Sequence, residues 1–266
     1  MQNKTRPLRS DIAWSTADAI GIHGYDLCND LMGVVNFGDM AFLSVTGRLP
    51  DSNESRLFNA ILVTLVEHGI VPSTLAARMT YAGAPEAMQA AVAAGLLGLG
   101  SVFVGSTEGA AKMLSAALPA GGPDQPLPEL AQSIVRTHRE QKRFVPGLGH
   151  PIHKPLDPRT LRLFAIAAQT GFNGRFVALM QHISEAASVA YGKPLPINAT
   201  GAIGALCCEL GLTWKVANGL GVMARAVGLV GHVLEEARQP MAMELWHRTE
   251  DEATEHTRGK LRPRNG

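Results

Sequence analysis

The residues best suited to chemistry lie in one proline- and glycine-rich stretch, residues 143–159. His150 can gain or lose a proton near neutral pH. Arg159 presents a planar pair of N–H donors that matches a carboxylate. Gly147 and Gly149 allow a tight loop whose backbone can approach a ligand closely, and the prolines that follow stiffen the path to the arginine. The stretch therefore predicts a small-anion site, and the alternative is an ordinary surface turn with chance charges.

The elements that must hold this stretch are predicted to be helices. Apolar residues recur at helical spacing through most of the chain, and no series of alternating residues predicts a set of strands. A capping signal at residues 51–55 begins a helix that runs up to Glu67-His68-Gly69, and Pro72 begins the next one. Residues 20–27 predict a hairpin or an extended turn before a helix near Asn29. The fold class is all-α.

One predicted helix has small residues along its length. Ala87, Ala91, Ala94, Gly95 and Gly98 follow helical spacing, so another helix can approach closely. Because it is apolar on nearly all sides, this helix belongs in a core or in a subunit interface. We expect a homodimer.

Composition limits the classes of function. The chain has 266 residues, a formal net charge of +1 and 18% charged residues, which gives no reason to expect a nucleic-acid or membrane partner. Three cysteines without framework spacing favour a reducing compartment. The N-terminus lacks the apolar core of a signal peptide, and the apolar run at residues 90–105 is too short to span a membrane. We expect a cytoplasmic protein.

His150 and His153 have a spacing that metal ligands also use. A metal site would need a third ligand or a carboxylate at a suitable spacing, and the sequence offers none. We therefore expect no metal.

Six segments, in order, resemble the citrate synthase superfamily, and most closely its citryl-CoA lyase branch, which includes the C-terminal module of ATP-citrate lyase. They are residues 22–27, 67–69, 95–105, 146–159, 196–204 and 225–232. The resemblance covers nearly the whole chain, and six ordered segments are far more specific than any one of them.

The resemblance implies a mostly helical two-domain fold that works as an obligate dimer, and it leaves open whether dimers pair into tetramers. Residues 1–104 and 213–266 would form the large domain, and residues 105–212 the small domain that carries the loop, with the active site between them. It also implies coenzyme A chemistry without a metal, in which citryl-CoA is cleaved to acetyl-CoA and oxaloacetate, or the reverse condensation.

The same resemblance assigns roles to individual residues. His150 would handle the proton on the substrate's hydroxyl or carbonyl oxygen, and His68 would bind substrate and take part in catalysis. Arg159 and Arg225 would grip substrate carboxylates. Coenzyme A would lie against the loop residues Val145, Gly147, Leu148 and Gly149, with Arg139, Arg143 and Lys193 facing its phosphates.

Two positions depart from the synthase pattern. Phe103 stands where synthases have a histidine, as it does in the lyase branch, and this favours a lyase. Thr200 stands where most of the superfamily has an aspartate that moves a proton at the acetyl carbon, and a threonine hydroxyl is a poor base. Either Glu67, His68 or a water molecule performs this step, or the substrate differs, or the protein binds without turnover.

The sequence leaves three functional hypotheses. They are a citryl-CoA lyase-like enzyme, a condensing enzyme of the citrate synthase type, and a non-catalytic acyl-CoA- or citrate-binding protein.

Overall fold

The computed structural model describes residues 8–100, 105–122, 125–150 and 153–260. Within these ranges the chain is mostly helical, as predicted, with one small antiparallel sheet. The strands are β1 (Ala13–Ser15), β2 (Ile20–Ile22) and β3 (Tyr25–Asp26). The helices are α1 (Phe37–Thr46), α2 (Ser52–Val66), α3 (Pro72–Gly83), α4 (Met88–Leu97), α5 (Gly105–Ala117), α6 (Leu127–Glu140), α7 (Pro158–Thr170), α8 (Arg175–Tyr191), α9 (Ala199–Glu209), α10 (Trp214–Arg238) and α11 (Ala242–Thr254).

The predicted hairpin is formed by β2 and β3. His23 and Gly24 connect the strands with positive φ angles of 46° and 87°, as a two-residue turn requires. The sequence did not predict β1, a three-residue strand that pairs with β2 and is exposed on every residue. A π-helical turn, Leu27–Leu31, follows the sheet and begins two residues before the predicted start.

The predicted start of α2 is confirmed in atomic detail. The Asp51 carboxylate accepts hydrogen bonds from Asn53 N–H and Glu54 N–H, and the Glu54 carboxylate accepts one from Asp51 N–H at 2.9 Å. These reciprocal bonds form a capping box. Since α2 ends at Val66, His68 lies immediately beyond its C-terminus, as the sequence indicates.

Internal contacts divide the chain into two compact units. The first unit groups residues 1–64 with 105–220, and the second groups residues 65–104 with 221–266. One boundary, between residues 104 and 105, coincides with a predicted one. The predicted large and small domains remain a prediction, since contact grouping does not test a division by function.

Helix α9 forms the centre of the first unit and packs against α5, α7 and α8. Its residues from Ala199 to Cys208 are buried apart from Thr200, which is half-buried. A Cβ atom on Gly204 would lie 2.7 Å from the Ala110 Cβ and 2.9 Å from the Ala111 nitrogen. Glycine at this position therefore lets α5 approach α9, and Cys207 and Cys208 lie in the core of this unit.

In the second unit, α4 packs on α3, and α11 also packs on α3. The core includes Ala77, Ala91, Leu229 and Val233, all fully buried. A Cβ atom on Gly95 would lie 2.7 Å from Leu229 side-chain atoms, so the small residues of α4 serve close packing inside this unit. The homodimer remains a prediction.

Helix α10 is long and apolar enough to cross a membrane, judged only by its length and composition. The core helix of a soluble protein meets the same criteria. Leu220 and Leu229 are fully buried, and the helix also carries the predicted site residue Arg225. Val222, Val227 and Leu234 on the same helix are exposed, so only part of its apolar surface is buried.

Candidate active site

The loop at residues 145–149 is fixed on the segment that leads into α9. Gly149 N–H donates to the Pro196 carbonyl at 2.7 Å, and Asn198 N–H donates to the Gly147 carbonyl at 3.0 Å. The Asn198 side chain adds a third bond by donating to the Gly149 carbonyl at 2.6 Å. The predicted tight loop is thus present. Three hydrogen bonds hold its backbone in place immediately before His150.

Two glycines make this close approach possible. Gly147 has φ +84°, and a Cβ atom there would lie 2.4 Å from the Gly201 Cα. A Cβ atom on Gly201 would in turn lie 2.4 Å from the Gly147 carbonyl oxygen. No side chain fits at either position without moving backbone. The loop therefore rests directly on the first turn of α9.

His150 has a defined ring orientation. Its Nδ1 atom accepts a hydrogen bond from His153 N–H at 3.0 Å, and the two imidazole rings stack with centroids 4.4 Å apart. Because Nδ1 is used as an acceptor, a neutral His150 carries its proton on Nε2. The Nε2–H group of a neutral His150 is therefore a hydrogen-bond donor.

Arg159 is held by a residue that sequence reasoning missed, Asp157. The Arg159 side chain donates to Asp157 through Nε at 3.0 Å and Nη2 at 2.8 Å, and Asp157 also accepts from Ala199 N–H at 3.0 Å. Asp157 is the N-cap residue of α7 and is 1% exposed. The signal was available, because Asp-Pro at 157–158 is a common helix start.

The environment keeps Asp157 ionised. Burial acts to raise the pKa of Asp157, but the hydrogen bonds from the Arg159 guanidinium and from Ala199 N–H outweigh it, and the net pKa lies below the usual value. Arg159 is thus preorganised by a buried anion that also touches the start of α9.

The Thr200 hydroxyl has two hydrogen-bond partners. It donates to Asn198 Oδ1 at 2.7 Å and accepts from the Ser106 hydroxyl at 2.8 Å. The direction is fixed because Asn198 Nδ2 faces the Gly149 carbonyl, so Oδ1 must act as the acceptor toward Thr200. The Thr200 proton is therefore committed to Asn198.

The predicted coenzyme A residues fall in three places. Val145 is buried, so its backbone rather than its side chain is available to a ligand. Arg139 lies in the last turn of α6, on the wall of a cavity of about 400 Å³ between α6 and α8. Arg143 is exposed beside the loop and donates to Gln141, and Lys193 is exposed just after the end of α8. Leu148 is half-buried in the loop itself.

In the second unit, Glu67 fixes the turn that carries His68. One oxygen of the Glu67 carboxylate accepts from the N–H groups of His68 and Gly69, each at 2.8 Å. Burial acts to raise the pKa of Glu67, but these bonds and the one from His232 outweigh it, and its pKa is lowered. His68 itself is half-buried.

Arg225 on α10 is half-buried, and two of its buried side-chain nitrogen atoms lack hydrogen-bond partners among the described residues. These atoms are Nε and Nη1, and Glu67 Oε1 lies 3.9 Å from Nη1. Burial lowers the pKa of Arg225, and the nearby Glu67 offsets this only in part. A buried guanidinium in this condition would be stabilised by an anion that accepts its remaining N–H groups.

His232, which also lies on α10, connects Glu67 to a buried arginine. His232 Nε2 lies 3.0 Å from Glu67 Oε2, and His232 Nδ1 accepts from Arg78 Nη2 at 2.8 Å. Arg78 is 1% exposed and also pairs with Glu235 and, at 2.9 Å, with Glu236. The sequence gave no sign of this contact with Arg78.

Comparison with known proteins identifies the family. The family model described as "Citrate synthase, C-terminal domain" matches residues 23–246, most of the chain. The chain belongs to the citrate synthase family. Its resemblance to that family, read from six segments, is therefore confirmed.

Solved structures of the citrate synthase family resemble this member along most of its length. A citryl-CoA lyase from Hydrogenobacter thermophilus has 33% sequence identity and a TM-score of 0.79, with 88% of each chain covered. An ATP citrate lyase from Methanothrix soehngenii, solved with citrate and coenzyme A, has 22% identity and a TM-score of 0.72, over 88% of this chain and 39% of that one. The second likeness shows the fold alone.

Curated relatives of this family member are much longer. A probable ATP-citrate synthase subunit 1 from Neurospora crassa is 27% identical over 218 residues, which are 76% of this chain and 31% of that protein. The chain thus spans about a third of the length of such relatives.

Phe103 lies outside the described residues. This is the position at which the resemblance distinguishes lyases from synthases.

Proposed function

We propose that this family member is a citryl-CoA lyase-like enzyme, which cleaves citryl-CoA or a related 3-hydroxy-3-carboxyacyl thioester to acetyl-CoA and oxaloacetate. The observation that carries the proposal is the correspondence with the Hydrogenobacter citryl-CoA lyase over 88% of both chains. Phe103 supports cleavage over condensation, as the resemblance implies. Coenzyme A would enter as the substrate thioester.

The described residues suit the chemistry of this cleavage. A base removes the proton of the substrate's tertiary hydroxyl, the oxygen forms a carbonyl, and the carbon–carbon bond breaks. The electron pair of that bond passes to the thioester as an enolate, which then takes a proton at carbon to give acetyl-CoA. His150 would handle the proton on the substrate's hydroxyl or carbonyl oxygen, and His68 would bind substrate and take part in catalysis, as the resemblance implies.

The two arginines suit a substrate with several carboxylates. Arg159 offers a fixed guanidinium held by Asp157, and Arg225 has buried N–H groups that an anion would satisfy. The proposed coenzyme A residues are Arg139, Arg143, Val145, Gly147, Leu148, Gly149 and Lys193.

One observation favours a second function of another class. The Thr200 hydroxyl is engaged by Ser106 and Asn198, so it cannot serve as the base that the family's aspartate provides. A protein that binds acyl-CoA or citrate without turnover would need no such base. We retain this non-catalytic binding protein as the alternative.

The deciding experiment is incubation of the purified protein with citryl-CoA while oxaloacetate release is followed. The lyase proposal predicts release by the native chain and a decrease of at least about 100-fold in His150→Ala, which removes the group that would handle the proton at the reacting oxygen. His247→Ala, which changes an exposed histidine on α11, is the matched control and should be unaffected. Equal rates for native protein and His150→Ala would contradict the assignment.

Thr200→Asp separates the two candidate functions. If the native protein binds coenzyme A and citrate but releases no oxaloacetate, while Thr200→Asp does, the chain is a binding protein on a lyase scaffold. If the native protein already cleaves citryl-CoA, another group supplies the proton step.

We further propose that the protein is a cytoplasmic homodimer. Light scattering would test the dimer, and cell fractionation would test the location.

A further inference from the structure

Glu67 is held in one orientation by three N–H donors. Its Oε1 atom accepts from His68 N–H and Gly69 N–H, and its Oε2 atom faces His232 Nε2. Gly69 has φ +76°, so the turn after α2 is one that glycine adopts readily. A carboxylate with both oxygens engaged in this way, and with a lowered pKa, is a poor proton acceptor. Its chemistry is that of a fixed negative charge.

His232 fixes the orientation of Glu67, because His232 is itself held by Arg78. Two nitrogen atoms of Arg78, Nε at 3.2 Å and Nη2 at 2.8 Å, lie within hydrogen-bond distance of His232 Nδ1. Since an arginine only donates, Nδ1 must accept, and the His232 proton therefore stands on Nε2 facing Glu67. Arg78 cannot turn away, because it is 1% exposed and paired with Glu236.

Glu67 is also the charged partner nearest to Arg225 among the described residues. Its Oε1 atom lies 3.9 Å from Arg225 Nη1, within ion-pair range but beyond hydrogen-bond range. At this distance the carboxylate attracts the guanidinium without accepting its N–H groups. Arg225 is thereby kept near one position while its buried Nε and Nη1 atoms retain their hydrogens for another acceptor.

We propose that Glu67 is a positioning residue, which the Arg78–His232 pair holds in place so that it fixes the guanidinium of Arg225 and the backbone of His68. The proposal rests on the proposed function for the identity of the anion that Arg225 would bind, a carboxylate of the substrate. Its positioning role can be tested without that identity.

The first test measures Arg225 itself. Proton exchange at the Arg225 Nε–H group, followed by nitrogen-15 NMR in arginine-labelled protein, reports how well the guanidinium is held. The signal is identified by its absence from Arg225→Gln. We expect exchange to be at least about 10-fold faster in Glu67→Gln than in native protein, because the ion pair is lost. Glu244→Gln, an exposed carboxylate of α11 paired with Arg248, is the matched control and should leave the rate unchanged.

The second test measures anion binding, with citrate as the probe. Removal of a negative charge beside Arg225 would by itself strengthen the binding of an anion. A loss of affinity in Glu67→Gln, expected to be about 10-fold, can therefore come only from misplacement of the arginine or of His68. In an Arg225→Gln background the same substitution should cause a clearly smaller loss of affinity, because only the effect of Glu67 on the backbone of His68 remains.

The outcomes separate the two proposals. Exchange at Arg225 that is unchanged by Glu67→Gln would overturn the positioning role, and so would citrate binding that becomes tighter. A native protein that neither binds citrate nor cleaves citryl-CoA would overturn the proposed function, and the exchange comparison would still decide the role of Glu67. Faster exchange together with an Arg225-dependent loss of citrate affinity would support both.

Discussion

The two arginines predicted to bind carboxylates are held in opposite ways. Arg159 makes two hydrogen bonds to Asp157, a residue that is 1% exposed. Arg225 has its acidic neighbour Glu67 at 3.9 Å and two buried nitrogen atoms without a hydrogen-bond partner among the described residues. Arg159 is part of a completed ion pair, whereas Arg225 is held near a carboxylate that does not satisfy it.

The difference separates structural from binding roles. A buried carboxylate with a bidentate arginine contributes to stability only while both partners remain, because either one alone is a buried charge. A buried guanidinium with unmade hydrogen bonds costs stability, and such a cost is typical of a site that awaits a ligand. The ion pair of Arg159 therefore suits a contribution to the fold, whereas the unmade hydrogen bonds of Arg225 support the proposal that it binds an anion.

The largest effect should follow replacement of Arg159. Arg159→Met leaves the Asp157 carboxylate buried without its cation, and we expect the free energy of unfolding to fall by about 3–5 kcal/mol. Urea denaturation measures this change. Arg162→Met, which alters an exposed arginine on the same helix, should stay within about 0.5 kcal/mol of native. A loss below about 1 kcal/mol for Arg159→Met would mean that the ion pair is not structural.

Arg225→Met should show the reverse pattern. The substitution removes buried donors that lack partners, so the free energy of unfolding should stay within about 1 kcal/mol of native or rise. Citrate affinity, measured by titration calorimetry, should fall about 100-fold, since the anion loses a buried charge-assisted contact. A strongly destabilised variant with normal citrate affinity would place Arg225 in the same class as Arg159.

The smallest effect is expected in the loss of stability at acid pH. The pKa of Asp157 is lower in the folded protein than its usual value, so its contribution to stability is complete above that usual value and is lost as the pH falls through the folded pKa. We therefore expect native protein to lose stability below about pH 4 more steeply than Asp157→Asn, by on the order of 1 kcal/mol. Urea titrations at a series of pH values measure the slopes. Equal slopes would mean that Asp157 does not gain its partners on folding. Asp251→Asn, an exposed control on α11, should keep the native slope.

Local signals in the sequence predicted most of the helices. The capping residues at 51–55 and Pro72 mark helix starts through their own backbone chemistry, which needs no distant contact. By contrast, β1 was not predicted, because three exposed residues carry no periodicity and depend on pairing with β2. Helix α11 was not predicted either. Among its described residues only Ala242 is buried, so the helix lacks the buried apolar face on which such a prediction depends.

The candidate site could be predicted in its residues but not in its connections. His150, Arg159 and Arg225 were chosen by type, spacing and resemblance. The supports Asp157 and Arg78 were not, because their roles depend on contacts with residues far away in the chain, such as Ala199 and His232. Thr200 was identified as a departure from the family, but only the structure gives the Ser106 and Asn198 contacts that engage its hydroxyl.

The contact between Gly147 and Gly201 has a consequence for motion. Because the loop backbone touches the first turn of α9 and shares three hydrogen bonds with residues 196–198, the loop cannot lift away without breaking those bonds together. The Gly149 and Asn198 amides should then exchange with solvent through one common opening and at similar rates. We therefore expect the loop and the segment before α9 to open cooperatively rather than one bond at a time.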